Sequence, residues 1–352
     1  MKIRIKVLIV GAFDFEGGDT GGQPVKTREL YYALQERYGK NCIDYIETIG
    51  WKNKPIALLS ELFSKARISD VIIMLPAQRG LYAFAMILNL IKKHNTLLFY
   101  DVIGGWLPSI LETKKTVRKR LEHFDGIWVE TTSMKESLEL LGFKNIVLVP
   151  NFKKLSILQE SELNDNFEKP LSLCTFSRVV KQKGIEDAIN AVIQINTEEQ
   201  ELVFRLDIYG PIDDDYRTEF YSIMENAPEY IQYKGIADPH ESVDVLKHYY
   251  ALLFPTKFFT EGIPGTIIDA YCAGVPVIAP YWKNYRDVLI DGKTGWGYEF
   301  NSFEGLCRVI RRSFNEKSVF LKMKRDTLRE AEQYLPNRAM DIIAAQIEGK
   351  HK

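Results

Sequence analysis

The sequence predicts an α/β protein with two domains, each built on a parallel β-sheet. Short apolar segments that read as buried strands, such as the one ending at Val10, are followed by glycine-containing turns and then by helices with one apolar face. This order is typical of strands joined by helical crossovers. The chain of 352 residues is too long for one ordinary core and suits two domains of roughly 150 to 180 residues each.

Charge and cysteine usage narrow the class of protein. The chain has 46 basic and 47 acidic side chains, whereas a general nucleic-acid binder usually has a basic excess. We therefore expect no nucleic-acid partner. The four cysteines are scattered without CxxC spacing, which indicates reduced thiols in a cytoplasmic protein and no zinc site. The N-terminus reads as a strand rather than an export signal, and no apolar run approaches the roughly 18 residues of a membrane span.

The first domain begins with a strand over 3–11 and a glycine-rich loop over 17–22, which a helix follows. A strand, a glycine loop and a helix N-terminus together suggest phosphate or dinucleotide binding. The loop nevertheless matches neither GxGxxG nor the P-loop pattern. Gly21 and Gly22 are therefore either part of a ligand site or part of a flexible loop.

Two further strands are predicted at 70–75 and 96–102, with an apolar helix over 81–91 between them. Asp101 ends the second of these strands and precedes a glycine turn with Trp106. Ligands of α/β folds bind at the carboxyl ends of parallel strands. Asp101 is thus a candidate for contact with a ligand, and a structural role is the alternative.

A short basic segment follows over 113–120, which we expect to be helical. Its cations are Lys114, Lys115, Arg118, Lys119 and Arg120. The simpler interpretation is a solvated helix face. The alternative is peripheral contact with anionic phospholipid at the inner face of the cytoplasmic membrane.

The second domain is predicted to open with a strand over 171–176. Arg178 and Lys183 follow it, and Gly184 then opens a helix. Cations at a strand end, together with helix amides, are suited to bind a diphosphate. Further strands are predicted at 202–209, before the turn at Gly210, and at 231–235.

The most informative stretch is 256–298, where a strand at 250–255 leads into a loop and a helix. The loop consists of Glu261, Gly262, Ile263, Pro264, Gly265 and Thr266. Its glycines permit a tight turn, and the helix start after it exposes amides to anionic oxygens. Asp269 lies in the first turns of this helix, so two carboxylates flank the loop. Because carboxylates repel phosphate, we expect them to accept hydrogen bonds from neutral sugar hydroxyls.

Three motifs carry a resemblance to a known family. They are the pair Glu261 and Asp269 with seven residues between them, Ala-Gly-Val-Pro-Val-Ile-Ala at 273–279, and Asp-Gly-Lys-Thr-Gly at 291–295. This stretch resembles the donor-binding segment of retaining glycosyltransferases of the GT-B fold, in the glycosyl transferases group 1 family. Arg178 and Lys183 resemble the family's GR...KG signature. Asp269 stands where the family usually has glutamate, which is one methylene longer. The contact that the glutamate makes with the donor is therefore either lost here or made through a water molecule.

The resemblance implies a GT-B architecture, in which two Rossmann-like domains with parallel sheets face each other across a cleft. It places an acceptor-side domain at 1–152, a nucleotide-sugar-binding domain at 170–334 and a terminal helix at 335–352 that crosses back to the first domain. It implies catalytic roles for Arg178, Lys183, Glu261 and Asp101. It implies donor contacts for Gly21, Gly22, Gly262, Ile263, Pro264, Gly265, Thr266, Asp269, Gly210 and Ile236, with Asp269 at the ribose and Ile236 at the edge that holds the base.

The implied activity is retaining, metal-independent transfer of a hexosyl group from a nucleotide-diphospho-sugar to a saccharide or a lipid-linked acceptor, in cell-surface polysaccharide biosynthesis. No cofactor is expected, because the nucleotide-sugar is a substrate. Two other functions stay open at this point. One is a GT-B-fold sugar-nucleotide epimerase, and the other is a non-catalytic sugar-nucleotide-binding component of a polysaccharide assembly complex.

Overall fold

The computed structural model describes residues 5–17 and 21–351, apart from the side chain of residue 79. The chain divides into two compact units. Unit 1 comprises residues 1–154 and 334–352, and unit 2 comprises residues 155–333.

The sheet of unit 1 has six parallel strands in the order β2-β1-β3-β4-β5-β6 within the described part of the chain. The strands are β1 Val7–Gly11, β2 Ile43–Glu47, β3 Val71–Met74, β4 Leu97–Asp101, β5 Gly126–Val129 and β6 Ile146–Leu148. The helices that connect them are α1 Gly22–Tyr38, α2 Pro55–Ala66, α3 Gln78–Ile91, α4 Leu107–Thr113, α5 Lys115–Leu121 and α6 Thr132–Leu140. Every residue of β1 and β3 is buried, as expected for central strands covered on both faces.

The sheet of unit 2 also has six parallel strands among the described residues, in the order β12-β11-β10-β7-β8-β9. The strands are β7 Leu171–Phe176, β8 Phe204–Tyr209, β9 Ile231–Gly235, β10 Ala251–Leu253, β11 Val277–Pro280 and β12 Gly295–Tyr298. The helices are α7 Ile185–Glu199, α8 Arg217–Glu225, α9 Ser242–Leu246, α10 Gly265–Cys272, α11 Phe303–Asn315 and α12 Lys317–Ala331. The predicted α/β class with parallel sheets is confirmed.

The last helix, α13 Pro336–Lys350, belongs to unit 1. Its buried residues Ala339, Met340 and Ile343 share a core with Val7 and Ile9 of β1. Their spacing of three to four residues places them on one side of the helix. The exposed residues of α13 are mostly polar and include Arg338, Asp341 and Glu348.

The strand order reverses direction once in each sheet. In unit 1 the reversal lies between β1 and β3, and in unit 2 it lies between β7 and β10. At such a point the connections before and after leave to opposite sides of the sheet, so a crevice opens outside the carboxyl ends of the two strands. Residues just after β7 and β10 therefore lie at the expected ligand position of unit 2.

Two local predictions differ from the structure in their bounds. The basic segment is helical over most of its length, because α5 begins at Lys115, but α4 ends at Thr113 and Lys114 separates the two helices. Of its five cations, Arg118 and Arg120 are half-buried, and the Arg118 guanidinium donates to the Leu141 carbonyl. The strand predicted at 250–255 is shorter, since β10 spans only Ala251–Leu253.

No helix in the described part of the chain is long and apolar enough to cross a membrane.

Candidate functional site

The loop after β7 carries two of the predicted cations of unit 2. Arg178 is exposed, and its Nη1 lies 3.9 Å from Oδ2 of Asp213. A Cβ at Gly210 would lie 1.9 Å from the carbonyl oxygen of Ser177, and φ there is +132°. Only glycine fits this position, so Gly210 sets the backbone from which the Arg178 side chain extends.

The loops after β7 and β10 are packed tightly against each other. Gly184 has φ of +69°, and a Cβ there would lie 2.0 Å from the carbonyl oxygen of Pro255. The amide of Lys257 donates to the carbonyl of Gln182 at 2.8 Å. A short 3-10 turn over Lys181–Lys183 is thereby fixed against the segment that leads to Glu261.

Lys183 and Glu261 form a direct ion pair in this crevice. Each side chain is 16% exposed, so the pair is accessible to a ligand but shielded from bulk water. The Thr256 hydroxyl donates to Oε1 of Glu261 at 3.1 Å, and Nδ2 of Asn284 donates to the Glu261 carbonyl. The ammonium of Lys183 also lies 5.1 Å from the ring centroid of Phe254. The structure therefore brings together two predicted residues that lie 78 positions apart.

The N-terminus of α10 follows Glu261 directly. Pro264 is the N-cap with φ of −68°, and no side chain caps the first amides. Thr266 is the second residue of the helix, and its buried Oγ1 has no hydrogen-bond partner within the described residues, so Thr266 does not cap the helix. Uncapped amides and the positive end of the helix dipole favour an anionic oxygen at this position.

Asp269 does not share this crevice surface. It is 3% exposed, and its Oδ1 accepts a hydrogen bond from the buried hydroxyl of Ser242 at 2.8 Å. The aspartate is one methylene shorter than glutamate, and its carboxylate stays inside the contact between α9 and α10. Its predicted contact with a ribose remains a prediction.

The remaining donor positions of unit 2 lie at the carboxyl ends of β8 and β9. The Gly210 carbonyl accepts from the Tyr233 hydroxyl at 2.9 Å. Ile236 follows β9 and is 62% exposed. An exposed apolar residue at the rim of a strand-end crevice is suited to contact a planar base, and the contact of Ile236 with the base remains a prediction.

In unit 1, Gly21 and Gly22 lie at the start of α1, where Gly21 is the N-cap with an extended backbone. A Cβ at Gly22 would meet nothing within 4 Å, so neither close packing nor backbone conformation requires glycine there. Residues 18–20 of the predicted loop lie outside the described residues.

Asp101 is buried in a charged cluster of unit 1. The Lys26 ammonium lies 2.8 Å from Oδ1 of Asp101 and 2.9 Å from Oε1 of Glu130. Burial raises the pKa of Asp101, Lys26 opposes this shift and Glu130 adds to it. Burial alone would lower the pKa of Lys26, but the two carboxylates outweigh it and raise that pKa. The two raised pKa values are consistent with each other. Two carboxylates favour the charged form of Lys26, but one ammonium neutralises only one of the two buried carboxylates, so the pKa of Asp101 is raised as well.

Sequence reasoning missed the residues that hold these side chains in place. Thr256, Asn284 and Lys26 are each nearly inaccessible, and each binds a predicted residue. Thr256 follows an apolar strand directly, which is a weak signal that could have indicated it. Asn284 and Lys26 reach their partners only through the fold and lie in no motif. No group of three or more metal-binding side chains occurs within the described ranges.

Comparison with known proteins identifies relatives of the chain. The sequence profile of the family described as "Glycosyl transferases group 1" matches residues 158–333, which is half of the chain. The GtfA subunit of the UDP-N-acetylglucosamine–peptide N-acetylglucosaminyltransferase of Streptococcus pneumoniae is 34% identical over 49% of this chain and 33% of its own length. CapM of Staphylococcus aureus, a capsular polysaccharide biosynthesis glycosyltransferase, is 25% identical over 58% of this chain and 52% of its own. The chain thus spans about a third to a half of the length of these curated relatives.

A solved structure shows the fold over nearly the whole chain. Anabaena HepE in complex with UDP and glucose aligns with a TM-score of 0.74 over 98% of this chain and 100% of its own, at 13% identity. The fold is therefore the GT-B glycosyltransferase fold. Because the family profile also matches half of the sequence, the chain belongs to the glycosyl transferases group 1 family.

Proposed function

We propose that this chain is a retaining glycosyltransferase that moves a hexosyl group from a nucleotide-diphospho-sugar to a saccharide or lipid-linked acceptor in cell-surface polysaccharide biosynthesis. The relatives support the chemistry, since GtfA carries an N-acetylglucosaminyltransferase name, CapM acts in capsule biosynthesis and HepE is complexed with UDP and glucose.

One observation carries the proposal. Lys183, Glu261 and the uncapped start of α10 converge at the carboxyl ends of β7 and β10, where the strand order reverses. This arrangement offers a cation and helix amides to a diphosphate, beside a carboxylate that accepts hydrogen bonds from sugar hydroxyls. A nucleotide-diphospho-sugar has both kinds of group next to each other.

The proposed mechanism is electrostatic. As the bond between the anomeric carbon and the phosphate oxygen breaks, negative charge grows on the leaving diphosphate, and Arg178 and Lys183 stabilise it together with the amides of α10. The acceptor hydroxyl attacks from the same face, and its proton passes to the departing phosphate. Glu261 holds the sugar hydroxyls during this step. These side chains supply the charge stabilisation that a metal ion supplies in other transferases.

Lys183→Ala tests this role most directly. Loss of a cation that stabilises the leaving group should lower transfer by about 100-fold or more. Lys181→Ala is the matched control, because Lys181 lies in the same turn but is exposed and paired with Glu219 at 2.6 Å. Turnover of a panel of UDP- and GDP-sugars would be measured with and without saccharide acceptors, with product stereochemistry determined by NMR.

Equal turnover by the two variants would reject the role of Lys183. Inversion at the anomeric carbon would reject the retaining mechanism. Conversion of the donor sugar to its epimer without an acceptor would favour the epimerase instead.

A further inference from the structure

Helix α2 of unit 1 has a second apolar side that no other described element covers. Leu62 and Ala66 are buried and pack into the core. Ile56, Leu59 and Phe63 are instead exposed, by 82%, 44% and 50%. Their spacing of three and four residues places them on one face of the helix. The face of a surface helix that points away from the core normally has polar residues.

The neighbouring helix α3 extends this apolar surface. Met86 and Leu90 are one turn apart and are 40% and 75% exposed. Helix α2 packs beside α3. On the opposite flank of α2, Lys65 reaches Asp44 and the Tyr45 carbonyl on β2. Since β2 is the edge strand of the sheet, the exposed stripe of α2 lies on the flank that faces α3.

Cations border this apolar surface. Helix α5 packs on α3, and Nδ2 of Asn89 on α3 donates to the Arg120 carbonyl at 3.4 Å. Lys114, Lys115 and Lys119 are exposed there and have no carboxylate partner among the residues that the structure describes. At the other end, the Arg67 guanidinium lies 5.0 Å from the ring centroid of Phe63.

The acidic side chains of the same helices are already engaged. Glu61 pairs with Lys65 at 2.8 Å, and Glu122 lies 3.6 Å from Arg118. Glu112, near the end of α4 and two positions before Lys114, is exposed, so the border has more cations than carboxylates. The outer surface of these helices is therefore apolar in its centre and has a net positive charge at its border.

We propose that this surface docks on an anionic membrane. The docking face consists of Ile56, Leu59, Phe63, Met86, Leu90, Arg67, Lys114, Lys115 and Lys119. Its apolar side chains would enter the boundary between headgroups and acyl chains, while its cations meet anionic headgroups. A bilayer surface accepts both groups at once because it is apolar below and negatively charged above.

The charge pattern favours lipid over a second copy of the chain. A two-fold interface places the same patch of both copies against each other. The cations of the docking face would then meet cations, and like charges in contact oppose association. An anionic lipid surface has no such conflict. The inference does not rest on the proposed sugar transfer, because the face contains no residue of the crevice in unit 2.

Vesicle flotation of the full chain tests the inference. We expect binding to phosphatidylcholine vesicles that contain phosphatidylglycerol, weaker binding to phosphatidylcholine alone, and loss of binding with rising salt. Ile56→Ser with Phe63→Ser should lower the partition coefficient by about 10-fold or more. Leu202→Ser with Tyr221→Ser is the matched control, because both of these side chains are 42–45% exposed in unit 2.

A charge series separates the two contributions. Replacing Lys114, Lys115 and Lys119 by glutamate should abolish the preference for phosphatidylglycerol. The same change in net charge at exposed Lys40, Lys283 and Lys322 should leave that preference intact. No flotation of the native chain, or equal flotation of the Ile56/Phe63 variant and its control, would overturn the inference. A shift from dimer to monomer in the Ile56/Phe63 variant, without any change in flotation, would assign the face to a second copy instead.

Discussion

Among single residues, the ion pair of Lys183 and Glu261 shows how the crevice is prepared for a ligand. The carboxylate is oriented by the Thr256 hydroxyl, and the Asn284 amide holds the Glu261 backbone. A lysine with four rotatable bonds would otherwise lose side-chain entropy when it binds a phosphate. Because the pair already holds Lys183 in position, much of this cost falls on folding rather than on ligand binding.

A second lysine in unit 2 is charged at a place where charge is unfavourable. Lys324 on α12 is buried, and its Nζ has no hydrogen-bond partner among the described residues. Its ammonium lies 5.1 Å from the ring centroid of Phe167. Burial lowers the pKa of Lys324 to about 8, and Asp165 opposes the shift only in part. Lys324 therefore destabilises the folded state at neutral pH.

Lys324→Met should stabilise unit 2. The ordinary pKa of lysine is 10.5, and the difference of about 2.5 units corresponds to roughly 3 kcal/mol at pH 7. Between pH 8 and 10.5 the unfolded chain binds more protons than the folded chain, so the stability contributed by this site rises with pH there. We expect urea unfolding to show this gain in the free energy of unfolding at pH 7 and a much smaller gain at pH 10.

The control is Lys322→Met, because Lys322 is exposed on the same helix. This variant should change stability by less than about 0.5 kcal/mol. A destabilised Lys324→Met variant would contradict the argument.

Among elements, the contact between the loops after β7 and β10 determines the geometry of the crevice. Gly184→Ala would place a Cβ 2.0 Å from the Pro255 carbonyl oxygen, at a φ of +69°. The two loops must then separate, and Lys183 moves away from Glu261. We expect a loss of stability larger than the roughly 1 kcal/mol of a strained backbone alone, together with a large loss of transfer activity.

Gly292→Ala is the control for Gly184→Ala. Gly292 has φ of +78°, and a Cβ there would meet nothing within 4 Å. Both variants therefore carry the strain of positive φ, and only Gly184→Ala adds a clash. Equal unfolding free energies, measured by urea denaturation, would show that the contact with Pro255 does not fix the loops.

The elements also show how far sequence reasoning reaches. Strands such as β1 and β3 could be predicted, because central parallel strands need apolar residues on both faces. This requirement appears in the sequence as a continuous apolar run, which can be recognised without knowledge of tertiary contacts. The break between α4 and α5 at Lys114 could not, since every residue around it tolerates a helix and the Arg118–Leu141 contact comes from elsewhere in the fold. Glu261 and Lys183 were predicted from motifs. Their partner Asn284 was not, because only tertiary contacts bring it close to Glu261.

For the whole molecule, the strand order assigns ligand positions that no single motif assigns. The strand order reverses near the centre of each sheet, between β1 and β3 in unit 1 and between β7 and β10 in unit 2. In unit 1, the residues near that position are Gly21, Gly22 and a buried cluster of one lysine and two carboxylates. In unit 2, they are an accessible ion pair and an uncapped helix start. The start of α1 also has no side-chain cap, but the lysine of its cluster is buried, whereas Lys183 is accessible beside the start of α10. We therefore expect nucleotide affinity to reside in unit 2.

Nucleotide binding should therefore stabilise unit 2 selectively. A ligand at about 100 times its dissociation constant adds roughly 2.7 kcal/mol to the stability of the state that binds it, which for a unit of this size corresponds to a rise in melting temperature of about 5–10 °C. We expect this rise with UDP or GDP in calorimetric scans of the full chain.

The matching nucleoside, uridine or guanosine, lacks the diphosphate and should produce little change. In the Lys183→Ala variant, UDP or GDP should raise the melting temperature much less than in the native chain. The small effect of the nucleoside should be the same in both proteins. A nucleoside as effective as its diphosphate would show that base and ribose contacts dominate, and the diphosphate site at α10 would then have to be abandoned.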